Sequence, residues 1–148
     1  QYRQDFLRKM INSGYVKPFP YSKEGDSQIK LGVKNAICLA NNFFEYGFNV
    51  FISDIAVHKV KLNYYFKQFA GKPFFVILLL PSKEIVGLRD SQREIRAMGQ
   101  RALDLHKEFS EIKNEKRWVV VDSTSKTANE TASNIFKILK KLTRERAV

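Results

Sequence analysis

Several groups of residues have types and spacing that could do chemistry. Arg89, Arg93 and Arg96 stand at i, i+4 and i+7, so on a helix they share one face. Guanidinium groups that converge suit a polyphosphate, because each offers planar bidentate donors. They equally suit a solvated face on which Arg89 and Arg93 pair with Asp90 and Glu94. Asp54 closes the apolar run Phe48-Asn49-Val50-Phe51-Ile52-Ser53-Asp54. An acid there can hold magnesium directly or through water, or cap the next turn. Asp5 and Arg8 lie three apart on one helical turn. They can pair with each other, or the carboxylate can accept a substrate proton while Arg8 holds an anion.

Weaker signals complete the inventory. Tyr15, Phe19 and Tyr21, interleaved with Lys17 and Lys23, suit either a ligand cover that stacks a base or a packed loop. His58 and His106 are the only histidines, and nothing in their spacing brings them together. His106 sits beside a core stripe and reads as structural. Cys38, the one cysteine, lies among apolar residues and has no nucleophile motif around it. No His, Cys and Asp combination has metal-ligand spacing.

The elements that must position these residues follow from periodicity and punctuation. Asp5 to Asn12 reads as a short helix, and Gly14 to Gly25 as a loop held out of helix by Pro18 and Pro20. Asp26 suits the N-cap of a helix whose inner face is Ile29, Val33, Ala36, Ile37, Ala40, Phe43 and Phe44. Gly47 closes it. Phe48 to Asp54 and Phe74 to Leu80 read as strands apolar on both faces, as in covered α/β sheets. Between them lies a helix from His58 to Ala70, anchored by Val60, Tyr64 and Phe69. Ser82 caps a helix through about Leu88. Met98, Ala102, Leu105, Phe109 and Ile112 mark another. Trp118 to Asp122 is a third strand. Thr127 opens a last helix with Ala128, Ala132, Ile135, Ile138, Leu139 and Leu142 inward. Its end carries Lys137, Lys140, Lys141, Arg144 and Arg146, which complement the helix dipole.

Strands alternating with helices imply an α/β fold with a parallel sheet and helices on both faces. Ligands of such sheets bind beyond the carboxyl ends of the strands. That directs attention to Asp54, to Pro81 and Ser82, and to the turn Asp122-Ser123-Thr124-Ser125. The 148 residues, 44% hydrophobic, suit a single domain. A single cysteine and the absence of a leader or a run of ~20 apolar residues point to a reducing, cytoplasmic setting without a membrane partner. Lys and Arg outnumber Asp and Glu by 26 to 15, a formal charge of +11. Such a field favours anionic partners, nucleotide or nucleic acid among them.

Taken together, the order of these segments resembles the P-loop kinases of the nucleoside- and nucleotide-kinase and chloramphenicol-phosphotransferase-like group. The resemblance runs from Asp5-Phe6-Leu7-Arg8 through Leu31-Gly32-Val33-Lys34-Asn35-Ala36 and the strand ending in Asp54. It continues in Leu88-Arg89-Asp90, Gly99-Gln100-Arg101 and Val121-Asp122-Ser123-Thr124-Ser125. It implies a three-layer P-loop sheet of strand order 2-3-1-4-5 and an ATP- and magnesium-dependent transfer to a small-molecule or nucleotide acceptor. By the same resemblance Asp5, Arg93 and Arg96 are catalytic, and Arg8 and Tyr15 hold the acceptor. Arg89, Asp122, Thr124 and Ser125 would meet the nucleotide, Asp54 the magnesium, and residues 89–101 would form a lid.

The family also begins with a strand and Gly-x-x-x-x-Gly-Lys-Ser/Thr, whose amides and lysine cradle phosphates. Nothing here matches it. Ala70-Gly71-Lys72-Pro73 lacks the hydroxyl residue after the lysine and has Phe66 where the first glycine belongs. The resemblance therefore implies roughly 20–40 residues before Gln1 that supply the central strand and loop. Without them the chain is expected to be inactive. The alternative is a non-catalytic basic domain that binds nucleotide or nucleic acid.

Overall fold

The computed structural model describes residues 2–55, 59–95, 97–114 and 117–146. The elements are β1 (Tyr2–Arg3), α1 (Gln4–Arg8), α2 (Lys23–Glu45), β2 (Ile52–Ser53), α3 (Lys59–Gln68), β3 (Val76–Leu79), α4 (Lys83–Ser91), α5 (Gln100–Ile112), β4 (Trp118–Val121) and α6 (Ala128–Arg146). Helix and strand alternate, and both strand pairs are parallel, β1 with β2 and β3 with β4. The chain is thus α/β in the broad sense. Parallel neighbours need a crossover, supplied by α1 and α2 in the first pair and by α4 and α5 in the second. Among the described residues no helix is long and apolar enough to cross a membrane.

The structure divides into two compact units. The first comprises Gln1–Ala56 with Asn63–Gln68, the second Val57–Leu62 with Phe69–Val148. In the first, α2 packs on α1 and buries Val33, Ala36, Ile37 and Ala40 along one face. β1 meets β2 in the register Tyr2↔Ile52 and Arg3↔Ser53. In the second, Val76 to Leu79 pair with Trp118 to Val121, and the Leu80 N–H extends the ladder to the Val121 carbonyl at 3.0 Å. Leu78, Trp118 and Val121 are buried there with Ala102 and Leu105 of α5.

Several elements depart from the sequence expectations. α2 starts three residues ahead of Asp26, because Ser22 is its N-cap and its Oγ accepts the Gly25 N–H at 3.0 Å. Asp26 instead pairs with Lys30 one turn on. α2 ends at Glu45, and Gly47 at φ +84° turns the chain out of the helix, a conformation open to a residue without a Cβ. The inner face stops at Ala40; Phe43 and Phe44 are exposed. α1 ends at Arg8, leaving Met10 exposed.

On α3 the buried residues are Leu62 and Tyr65, followed by Phe69 beyond its end; Val60 is exposed. Phe69 stacks at a tilt on Phe74, centroids 4.8 Å apart. Ala128 and Ala132 of α6 face solvent, whereas Thr131 is buried. Strand pairing reaches only Ile52–Ser53 and Val76–Leu79 of the longer apolar runs. Phe51, Leu79 and Val120 are exposed, so the strands are not covered on both faces.

Candidate functional site

In the second unit the chemistry collects where β3 and β4 end. After β4 the chain turns through Asp122-Ser123-Thr124-Ser125-Lys126. The Thr124 hydroxyl accepts the Ser82 N–H at 2.8 Å, tying this turn to the start of α4. Ser82 in turn caps α4 through the Ile85 N–H. The Asp122 Oδ1 accepts the Thr124 N–H at 2.8 Å, and Lys126 Nζ donates to the Asp122 carbonyl at 2.8 Å. Arg89 reaches the same turn from the last part of α4. Its Nη2 donates to the carbonyls of Ser123 (2.9 Å) and Lys126 (3.3 Å), and its Nη1 to Ser123 Oγ (3.4 Å). Arg89, Asp122 and Thr124 are therefore brought together, with Arg89 clasping the backbone of the turn. Ser125 is exposed within that turn. His106 Nε2 lies 2.9 Å from the Pro81 carbonyl, which can only accept, so this histidine donates and braces the preceding loop.

Beyond α4 the three arginines part company. α4 ends at Ser91 with Gln92 as its C-cap, so Arg93 lies outside the helix and the common helical face with Arg89 is not formed. Arg93 Nη1 sits 3.5 Å from Asp90 Oδ1 and its side chain is about half exposed. A solvated pair of this kind contributes little. Arg96 and His58 lie outside the described residues. Asp90 is buried, and its carboxylate accepts the backbone N–H groups of Met98 (2.8 Å) and Gly99 (2.7 Å). Gly99, at φ +56°, is the N-cap of α5 and has no side chain to cap with, so Asp90 supplies the acceptor from across the loop.

In the first unit, Arg8 is buried, and its Nη2 donates to the Tyr15 hydroxyl at 3.1 Å with the guanidinium carbon 5.4 Å from the ring centre. Loop 14–16 is held in place by Gln28 of α2. The Gln28 amide donates to the Gly14 carbonyl (2.7 Å) and Glu24 Oε1 (2.9 Å), and its oxygen accepts the Val16 N–H (2.9 Å). Asp5 stands one turn before Arg8 and is half-buried. Asp54, just past β2, accepts the hydroxyl proton of buried Tyr65 at Oδ2, 2.8 Å away.

Gln28, Tyr65 and Asp90 escaped the reading of the sequence as site-building residues. Gln28 alone had a visible signal, a polar residue within the stripe Gly25, Gln28, Gly32, Val33 and Ala36 that α2 buries. Among the described residues, no group of three or more His, Cys, Asp or Glu side chains is placed to hold a metal ion.

The turn after β4 is acid-sensitive by construction. Hydrogen bonds from the Thr124 hydroxyl, then from its backbone N–H, hold the Asp122 carboxyl below the ordinary aspartate value, with Lys126 adding to the effect. A depressed folded-state value means stability that is complete above the unfolded value and lost as pH falls through the folded one. Asp122→Asn is therefore expected to unfold with a smaller drop in Tm on acidification than the wild type, measured by circular dichroism. An identical acid slope in both would show that this turn does not respond to protonation.

A scan against protein-family models finds no match for the chain, and a search of curated proteins finds none either.

Proposed function

We propose that the chain forms most of an ATP- and magnesium-dependent phosphotransferase for a small-molecule or nucleotide acceptor. In this reading it is a three-layer P-loop kinase-like domain whose phosphate-binding loop and central strand lie outside these 148 residues. The observation that carries it is strand pairing. A sheet of order 2-3-1-4-5 without its strand 1 is reduced to the parallel pairs 2-3 and 4-5. The parallel pairs here are β1 with β2 and β3 with β4, each with the connecting helices such a sheet requires. Exposed Phe51, Leu79 and Val120 add support, since strands of parallel sheets ordinarily lie covered on both faces.

The roles follow from the chemistry of each group. Asp54 holds magnesium, and its bond from Tyr65 fixes the carboxylate's orientation. The turn Asp122 to Ser125, clasped by Arg89, offers the nucleotide a rigid edge of backbone groups. Arg93 and Arg96 neutralise charge on the migrating phosphoryl oxygens. Asp5 accepts or orients the acceptor's hydroxyl proton, and Arg8 with Tyr15 holds the acceptor.

Thermal unfolding of the full-length protein tests this reading. Mg·ATP at about 100 times its Kd is expected to add about 2.7 kcal/mol of stability, and ATP with EDTA less. No response to ATP or GTP, with or without magnesium, would remove the proposal. The competing reading, a non-catalytic basic domain, draws on the +11 charge and exposed Lys137, Lys140, Lys141 and Arg144 of α6. It predicts binding to single-stranded nucleic acid that weakens steeply with salt and no ATP turnover.

A further inference from the structure

The end of α2 and the turn after it carry four exposed aromatic side chains. Tyr46 is 84% exposed, Phe48 60%, Phe43 49% and Phe44 43%. The backbone beneath them is locked. The Phe48 N–H donates to the Phe43 carbonyl at 3.0 Å and the Gly47 N–H to the Phe44 carbonyl at 2.9 Å. With Gly47 at φ +84°, these are the two bonds of a Schellman helix end. The rings of Phe43 and Phe48 meet edge to face, centroids 6.2 Å apart. An apolar contact of that kind accompanies such helix ends. It leaves both rings half in solvent, and it gives Phe44 and Tyr46 no reason to be aromatic.

Charge and area identify what covers this ridge. None of the 26 Lys and Arg residues falls between Lys34 and Lys59, where Glu45 and Asp54 are the only formal charges. A chain of +11 repels its own copy wherever cations face each other. This stretch lets two copies meet without that opposition. A whole aromatic side chain carries roughly 150–250 Å², so the exposed fractions leave roughly 350–600 Å² of ridge on each copy. Two ridges pressed together bury roughly 700–1,200 Å², the size of a weak, reversible interface. A strand added beside β2 would not account for the ridge. The Gly47 and Phe48 N–H groups are already taken by the helix end, so no ladder can extend through them.

We propose that Phe43, Phe44, Tyr46 and Phe48 form a two-fold contact between copies of this chain, giving a weak homodimer. A two-fold contact apposes the same surface on both partners, so it needs a patch that does not repel itself. The locked helix end presents the rings in a fixed arrangement, which lowers the ordering cost of association. The contact is independent of the phosphotransfer reading and uses none of the residues assigned to it.

Sedimentation velocity of the nuclease-treated, full-length protein tests this, from about 1 to 200 µM and in about 0.05 and 0.5 M sodium chloride. Dimer is expected to grow with protein concentration and with salt, because salt screens the repulsion between copies. Association bridged by nucleic acid would weaken with salt, and that result would overturn the proposal. Tyr46→Lys sets a cation in the ridge of each copy and should weaken the dimer tenfold or more, with little change in Tm because the side chain is exposed. Phe44→Lys repeats the test at a second position, so that one poorly folded variant does not decide it. Val60→Lys places the same charge at an 80% exposed position of α3 and should dimerise as the wild type does. A monomer throughout the range, or lysine at positions 44 and 46 dimerising as well as Val60→Lys, would also overturn the proposal.

Discussion

On the proposed phosphotransferase reading, Asp54→Asn is expected to lower ATP-dependent phosphotransfer by roughly 10²–10³-fold, the size of effect seen when one charge-stabilising group is removed from a reacting centre. The substitution keeps shape and an acceptor oxygen, so the Tyr65 hydroxyl bond to position 54 survives and stability should change by less than about 1 kcal/mol. What disappears is the negative charge that the proposed magnesium site requires. Tyr65→Phe supplies the contrast. It retains the carboxylate and removes the hydroxyl that orients it, so turnover should fall less than in Asp54→Asn. Should Asp54→Asn turn over at the wild-type rate, Asp54 is a structural cap of the chain after β2 and the magnesium assignment goes.

Asp90→Ala is expected to cost about 3 kcal/mol of stability and roughly 10 °C in Tm for a chain of this size. The carboxylate is buried and accepts the N–H groups of Met98 and Gly99 at 2.8 and 2.7 Å. Hydrogen bonds to a charged acceptor are each worth about 1.5–3 kcal/mol. Both donors lie at the N-terminal end of α5, where a negative charge is also favoured by the helix dipole. Asp90→Asn keeps one acceptor oxygen and should lose about half as much. Arg93 also loses the Asp90 carboxylate, 3.5 Å away, so the segment between α4 and α5 should gain mobility. Hydrogen exchange at Met98 and Gly99 reports this directly. Slow exchange at both amides in Asp90→Ala would mean that the loop is held by other contacts.

Much of the local structure was legible because it depends on neighbours in the chain. The stripe Val33, Ala36, Ile37 and Ala40 repeats at helical spacing, and those residues are the buried face of α2. Ser82 and Thr127 were readable as helix openers. Ser82 caps α4. Thr127 exchanges hydrogen bonds with Glu130, whose Oε2 takes the Thr127 N–H at 2.8 Å while Thr127 Oγ1 takes the Glu130 N–H at 3.2 Å, a capping box written in four consecutive residues. Ser22 and Asp26 show the limit of the method. Both are good caps, and only the loop 14–22 folding back onto α2 through Gln28 decides between them. The candidate nucleotide turn was legible as a position, the end of an apolar strand, but its clasp by Arg89 joins residues 34 apart.

What the sequence determines by itself is therefore the α/β alternation, the helix faces near the middle of each helix, and the positions where strands hand over to loops. Those depend on backbone propensity and side-chain periodicity within a few residues. Tertiary structure alone decided how much of each apolar run became a strand, because a strand exists only where a neighbour completes its ladder. Ile52–Ser53 and Val76–Leu79 have such neighbours. It also decided that Arg8 is buried against Tyr15, that Tyr65 orients Asp54 and that Asp90 organises the start of α5. Each is a polar group whose partner lies seven to eleven residues away, a separation at which periodicity carries no information and burial sets the energy.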